Sequence, residues 1–419
     1  MSDTRAKYYE KVWIDGCFDF THFGHCMAIL QTKRLFPELK FNMFERCSNG
    51  EKNHSTSDNF AISNCSANSD DNSDSSDSSD NSDNSDNSEQ ELIIGIHNDK
   101  DIMHNKNGHP VMHEEERYYH ISQVRWCTAI FKDAPYVTEP SVMDSQLCQY
   151  VVHGDDIVLD ANGEDCYTKV RKVGRFKMVK RTEGVSTTEI IHRILTFSEG
   201  DFSPDHSVEG KTQDSIELDS SYTNHPFAKK LAQHGINVKM LEDLSSDVNG
   251  FDPWCFVYYQ NFYQTVLKGG FEFSEGKTVV FIDDLYDFDL FHAGDIEVIK
   301  YVKEEMYLGY AMILGVGLQD DVSENFDKNI KPKMINTLSE RCYNVLSYKP
   351  VDGLIVMPQL HLLYDVPIVR YSEVLAIITE NTSEHSLHFA HLGRDSIIKR
   401  VHQDRQQYIA RNIKKGIAY

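Results

Sequence analysis

Apolar and polar positions come in blocks that switch period along the chain. Val12–Ile14 is a short apolar run of strand type, followed by DGCFDFTHFGHCMAILQTKRLF. From Gly24 onward Met27, Ile29, Leu30 and Leu35 fit a helical period, and Pro37 ends it. After a polar interval, ELIIGIHND predicts a buried strand with a polar end, and EEERYYHISQVRWCTAIF predicts an amphipathic helix. CQYVVHGDD reads as a strand, DCYTKVRKVG as a helix, FKMVKR as a strand and STTEIIHRIL as a helix with a Ser/Thr start. Strands alternate with helices, and polar residues collect just beyond the strands. This is the α/β doubly wound, Rossmann-like pattern, whose ligands sit past the carboxyl ends of the strands.

The polar interval is of another kind. From about Asn49 to Gln90 the chain is nearly all Ser, Asn and Asp, as in DSSDSSDNSDNSDNSE. Such a segment buries too little apolar surface to offset its ordering entropy, and disorder is expected. Residues 199–276 are mixed and read as a linker with some helix. A second α/β segment then opens with KTVVFIDDLYDFDLFHAGDIEVIKYVK, which repeats the opening of the first. His292 falls on His22, Asp289 on Asp19, Gly294 on Gly24 and Lys303 on Lys33. LSERCYNVLSYKPVDGLIVMP echoes EERYYHISQVRWCTAIFKDAPYV, with Arg341 on Arg117. The chain therefore carries an internal duplication. The expected organisation is 1–198, a linker 199–276, and a degenerate copy 277–419. In the copy His25 becomes Asp295 and Gly16 becomes Tyr286, and nothing after Ile355 resembles HGDD or RTEGVSTT.

Composition narrows the function. The 419 residues carry 42 Lys and Arg against 65 Asp and Glu, a net charge of -23, which excludes nucleic acid as a general partner. A small anion needs only a locally positive pocket. No apolar run approaches the roughly 18 residues of a membrane span. The 9 cysteines show no CxxC pair, and the N-terminus lacks a signal-peptide core. A cytoplasmic protein without a membrane span is the expectation.

The chemistry centres on His22-Phe23-Gly24-His25 at a strand-to-helix junction. Two imidazoles at a helix start, with a glycine between them and free N–H groups beneath, suit the charge that builds on a phosphate. Alone the motif also fits ordinary histidines or half of a zinc site. A second cradle stands in RTEGVSTTEIIHRIL, where Arg181 and a glycine precede Ser186, Thr187 and Thr188 at a helix start. By itself it could be a plain N-cap. Two cradles at opposite ends of one α/β unit favour the phosphate reading. His97, His104, His109 and His113 fit no usual zinc spacing and read as loop histidines; no metal site is expected.

Over residues 12–196, apart from the insertion, DGCFDFTHFGH, ERYYHISQVRW, HGDD and KRTEGVSTT resemble the cytidylyltransferase family of HxGH nucleotidyltransferases. RTxG(I/V)ST separates this family from its adenylyl-transferring relatives. HGDDIVLDANGEDCY and the duplicated C-terminal half are similar to its phosphoethanolamine-using branch. Phosphocholine-using members share only the first part and carry a membrane helix not found in this sequence.

The resemblance implies that His22 and His25 contact CTP phosphates and stabilise the transition state. It implies a nucleotide site of Gly16, Cys17, Phe18, Arg181, Ser186 and Thr187. The phosphoethanolamine pocket would hold Asp15, Tyr136, His153 and Tyr167, an acid with aromatics suited to an ammonium group. The family's phosphate-bridging lysine falls on Asn107. Lys106 beside it is the candidate, and Lys33 on the first helix is the fallback. Leu159 replaces a family tyrosine, which suits a primary ammonium. Mg²⁺ is expected to arrive with CTP. Two alternatives stay open, a phosphocholine-specific enzyme and a non-catalytic nucleotide-binding regulator. The sequence is compatible with a homodimer and does not fix the assembly.

Overall fold

The computed structural model describes residues 11–36, 91–196, 225–273, 276–282, 288–317, 334–380 and 387–419. The Ser/Asn/Asp segment 49–90 and Tyr286 lie outside the described residues. Two parallel-dominated sheets carry the fold, each flanked by helices, as the alternating pattern predicts.

In the first copy β1 (Lys11–Gly16) is followed by α1 (Phe23–Leu35), β2 (Leu92–Ile96), α2 (Asp99–Lys106), α3 (Glu114–Ser122) and β3 (Ala129–Lys132). Then come α4 (Pro140–Ser145), β4 (Cys148–Gly154), α5 (Thr168–Lys172), β5 (Phe176–Val179) and α6 (Thr187–Thr196). The sheet order is β3-β2-β1-β4-β5, all parallel, with Asp15 beside Gly95 and His153 beside Met178. Reversal of direction at β1 leaves a crevice beyond the ends of β1 and β4, where nucleotides bind in open α/β sheets.

Two elements differ from the sequence reading. The predicted helix over EEERYYHISQVRWCTAIF stops at Ser122, and Ala129–Lys132 is an edge strand. The break is tertiary in origin. Arg125 donates to the carbonyls of Ser246, Tyr348 and Val351, and Trp126 Nε1 donates to Asp247 O, which pins the turn against later chain. The stretch read as a loop around His104 contains α2, capped by Asn98 and closed by Asn107 in the left-handed conformation.

Helices α7 (Ala228–Ala232) and α8 (Val238–Leu244) precede β6 (Phe256–Tyr259) and β7 (Asn261–Leu267). The second copy then runs through β8 (Thr278–Ile282), α9 (Ala293–Tyr301), β9 (Ala311–Val316), α10 (Leu338–Leu346), β10 (Gly353–Val356), β11 (Ile368–Arg370) and α11 (Tyr371–Glu380). It ends in α12 (Arg394–Gln403) and α13 (Arg405–Lys414). Its sheet order is β11-β8-β9-β10-β6-β7. β11-β8-β9-β10 repeats the neighbours β4-β1-β2-β3, and β6 and β7 extend the far edge. Residues 199–276 are therefore not only a linker, because part of that stretch pairs with β10. Apolar residues on both faces of β6 hide it in a region whose periodicity is otherwise unclear.

The duplication runs deeper than the motifs suggest. Asp19 accepts from the N–H groups of Val111 and Met112, and Asp289 accepts from those of Ile335 and Asn336. Arg193 on α6 holds Glu340 of the second copy, and Arg400 on α12 holds Glu116 of the first. Arg193 also donates to Ile335 O, and Arg400 to Val111 O. Helix α12 is thus the counterpart of α6 in place, although its start, HFAHLGRD, shares none of the RTEGVSTT residues. Its chemistry has changed. Arg394 stands near the place of Thr187 and is spent on an internal pair with Asp289 at 2.9 Å.

Candidate active site

The site assembles where three first-copy segments meet. Beyond β1 the chain turns through Phe18 and Phe20, both at positive φ, and delivers His22 as the N-cap of α1. The His22 and His25 rings stack with centroids 3.9 Å apart and planes at 19°. His25 Nδ1 accepts the His22 backbone N–H at 3.4 Å. A neutral imidazole that accepts at Nδ1 carries its proton on Nε2, so His25 can donate outward from Nε2. Burial, then the charges of Lys106 and Arg181, push His25 down to about 3. Burial, then His25, Arg181 and Arg193, hold His22 well below the usual histidine range. Both rings are neutral near pH 7, and His22 Nδ1 is buried without a hydrogen-bond partner.

Gly24 joins this turn to the second cradle. A Cβ at Gly24 would stand 2.8 Å from Val185 Cγ1 and 3.0 Å from His22 Nδ1. The missing side chain lets the RTEGVST loop lie directly on the start of α1. Thr187 Oγ1 donates to Asp19 O at 2.9 Å, and Gln31 exchanges two hydrogen bonds with the backbone of Lys180. Arg181 stays exposed, with its backbone N–H on Asp155. Arg181 and Ser186 line an open hollow of about 430 Å³ with Asp155, Lys180, Thr182 and Glu189. The starts of α1 and α6 thus lie against one another at Gly24 and Val185.

Lys106 ends α2 and is exposed, and it is the first-ranked charge acting on His25. The structure separates Lys33 from this group. It is 1% exposed, its stem lies against the Gly250 turn, and from His25 to Lys33 the helix rises about 12 Å. Its counterpart Lys303 is also structural, bound to Asp352 at 2.7 Å.

Asp15, Tyr136, His153 and Tyr167, the residues expected to meet the second substrate, cluster by β1 and β4. Asp15 is buried and accepts from Trp13 Nε1 at 2.9 Å, from Tyr167 Oη at 2.5 Å and from Thr138 Oγ1. All three donors are neutral, and among the described residues no ion pair joins Asp15. Tyr136 lies 4.9 Å from the His97 ring, and His153 lies 4.9 Å from Tyr167. Tyr136 and Tyr167 also pack in a small core with Trp13 and Met143. Burial, with Asp15 nearby, pushes the Tyr167 hydroxyl well up, which keeps it a donor. Gly16 and Phe18 sit together, a Cβ at Gly16 meeting the Phe18 ring at 3.3 Å. The Cys17 carbonyl accepts from Arg117, which also holds His97 O and Asp99.

Among the described residues no group of three or more His, Cys, Asp or Glu could hold a metal ion. His97 gives Nδ1 to the Ala134 carbonyl contact, and His113 starts α3. No described helix is long and apolar enough to cross a membrane. Sequence reasoning missed Thr138 at this site, and the C-terminal residues Arg411 and Lys415 near it. None of these belongs to a motif with its own spacing signal.

The cytidylyltransferase-like family profile matches residues 85–193 of this chain. An ethanolamine-phosphate cytidylyltransferase of Saccharomyces cerevisiae is 36% identical over 411 residues, covering 98% of each chain. One from Dictyostelium discoideum is 27% identical over 440 residues, covering 99% of this chain and 97% of its own. A choline-phosphate cytidylyltransferase of Arabidopsis thaliana matches 187 residues at 30% identity, 44% of each chain. Similarity therefore runs through the duplicated half only for the ethanolamine-phosphate proteins among these three. The chain belongs to the ethanolamine-phosphate cytidylyltransferase family.

Proposed function

We infer that this chain transfers the cytidylyl group of CTP to phosphoethanolamine, giving CDP-ethanolamine and pyrophosphate for phosphatidylethanolamine synthesis. A phosphate oxygen of phosphoethanolamine attacks the α-phosphorus of CTP. The bond from that phosphorus to the bridging oxygen breaks, and pyrophosphate leaves with the electron pair. The observation that carries this reading is the contact at Gly24, which sets the stacked His22–His25 pair and the start of α6 against one another.

His25 donates from Nε2 to an α-phosphate oxygen as charge develops there. His22 lies beside it as a second neutral imidazole. Neutral donors aimed at developing charge need no proton transfer in this step. Arg181, Lys106, Ser186 and Thr187 hold the triphosphate, and Gly16, Cys17 and Phe18 lie along the nucleotide. The carboxylate of Asp15, with Tyr167, Tyr136 and His153, receives the ammonium group. Mg²⁺ arriving with CTP would neutralise charge on its phosphates, beside Arg181, Lys106, Ser186 and Thr187, without a dedicated protein cage.

The test is product analysis of the purified chain with CTP, Mg²⁺ and either phosphoethanolamine or phosphocholine. CDP-ethanolamine and pyrophosphate are expected, with phosphocholine the much poorer acceptor. Equal or better use of phosphocholine would overturn the acceptor assignment. Absence of any CDP-alcohol would overturn the reaction.

A further inference from the structure

The last helix of the degenerate copy reaches the first copy's site. Helix α13 is fastened on both sides of it. Tyr408 Oη donates to His109 O at 3.3 Å, in the loop just after Lys106. Gln407 fills the space at Gly108, where a Cβ would come within 2.8 Å of it. On the other side Asn412 Nδ2 donates to Thr188 O at 3.1 Å, in the first turn of α6. One residue past α13, Lys415 Nζ donates to Thr188 Oγ1 at 3.2 Å. Lys415 remains exposed and, among the described residues, has no ion-pair partner.

Lys106, Arg411 and Arg181 all act on Lys415. Lys415 is exposed along its length while its ammonium end is partly covered against Thr188, and this partial burial, then these three charges, pull the ammonium down to about 8. Arg411 has buried Nε and Nη2 atoms with no hydrogen-bond partner. Asp155 and Glu189 border the hollow on the Arg181 side, and gathering cations around Lys415 is unfavourable unless an anion is bound among them. That one cluster stands apart from the chain's net charge of -23.

We propose that Lys415 contacts the β- and γ-phosphates of CTP bound in the first copy, so that the degenerate copy supplies a substrate-binding residue. This rests on the reading that CTP occupies the site. With His22 and His25 at the α-phosphate, the phosphates beyond it extend toward the start of α6, where Thr188 holds the ammonium. The C-terminal segment then does more than support the fold, since it completes the grip on the leaving pyrophosphate.

Calorimetry on the full chain with CTP and with CMP tests this directly. Lys415→Met should weaken CTP about tenfold or more, the worth of a charge-assisted hydrogen bond, and leave CMP affinity unchanged. Lys415→Arg, which keeps the charge, should recover most of the loss, and Lys414→Met should bind as the native chain does. Unchanged CTP affinity in Lys415→Met overturns the proposal. So does an equal fall for CTP and CMP with a lowered unfolding midpoint, the signature of a structural role. The readout is binding, so a native chain that binds CTP but forms no CDP-ethanolamine would sink the proposed reaction and leave this test standing.

Discussion

Arg193 of the first copy holds Glu340 of the second through both terminal guanidinium nitrogens, at 2.6 and 2.7 Å. Arg400 of the second copy holds Glu116 of the first at 2.7 and 2.8 Å. The two copies are thus tied by reciprocal forks, each across an interface where the carboxylate is nearly buried. Glu340→Gln should cost about 2–3 kcal/mol in denaturant unfolding, the range for a hydrogen bond to a charged group left incomplete. Arg400→Ala should do the same and also weaken CTP binding, because α12 leads directly into α13. Native stability in both variants would show that the forks contribute little.

The stacked histidines and their counterpart separate chemistry from structure. His22→Ala and His25→Ala should each lower kcat by about 10²–10³, the cost of removing a donor aimed at developing charge, with folding intact. His292 is buried, and its Nδ1 accepts the Asp295 N–H at 3.2 Å as an N-cap for α9. His292→Ala should cost about 1 kcal/mol of stability and leave kcat nearly unchanged. Asp295 returns the bond by accepting the His292 N–H, so its carboxylate serves the cap and would repel a triphosphate. Calorimetry should find a single CTP per chain. Two sites of similar affinity, or a large kcat loss in folded His292→Ala, would contradict this.

Gly24 and Gly294 occupy matching places, yet their substitution should be felt differently. At Gly24 a methyl would push against Val185 and His22, shifting one phosphate cradle relative to the other. Gly24→Ala should lower kcat/KM by about 10²-fold, as for a displacement near 1 Å. At Gly294 a methyl would meet the carbonyl oxygens of Phe389 and Leu392 at 2.5 and 2.8 Å. Gly294→Ala should lower the unfolding midpoint without changing kcat per folded molecule. Steady-state kinetics and thermal unfolding on both variants decide the point.

Acid should destabilise the protein earlier than carboxylate titration alone would. Burial holds His25, His120 and His292 at about 3 and His22 well below its usual 6.5. The unfolded chain binds these protons below about 6.5, whereas the folded chain does not. The stability from neutral burial is therefore present above that pH and is lost as pH falls toward 3. The unfolding midpoint should stay level above about pH 6.5 and decline between 6.5 and 5, before carboxylates titrate. A midpoint unchanged down to pH 5 would mean these rings protonate freely in the folded state.

Much of the site was legible in the sequence because it is local. His22, Gly24 and His25 share one strand-to-helix turn, and Arg181, Ser186 and Thr187 share another, so spacing alone sets each cradle. Lys33 shows the limit of that reading. It lies on the right helix but at the wrong end, because a helix carries residues apart along its axis as surely as it aligns them. The predicted long helix over 114–131 failed for another reason, since Arg125 and Trp126 are held by carbonyls far along the chain.

By itself the sequence determined the α/β class, the duplication, and the two helix-start turns of the first copy, all of which depend on short-range periodicity and turn chemistry. The tertiary structure decided which distant charges meet. It placed β6 and β7 on the second sheet, crossed Arg193 to Glu340 and Arg400 to Glu116, and brought Lys415 to Thr188. No sequence period records such meetings. An ion pair or a shared cradle depends on separation through space, and only packing of the two copies sets that separation.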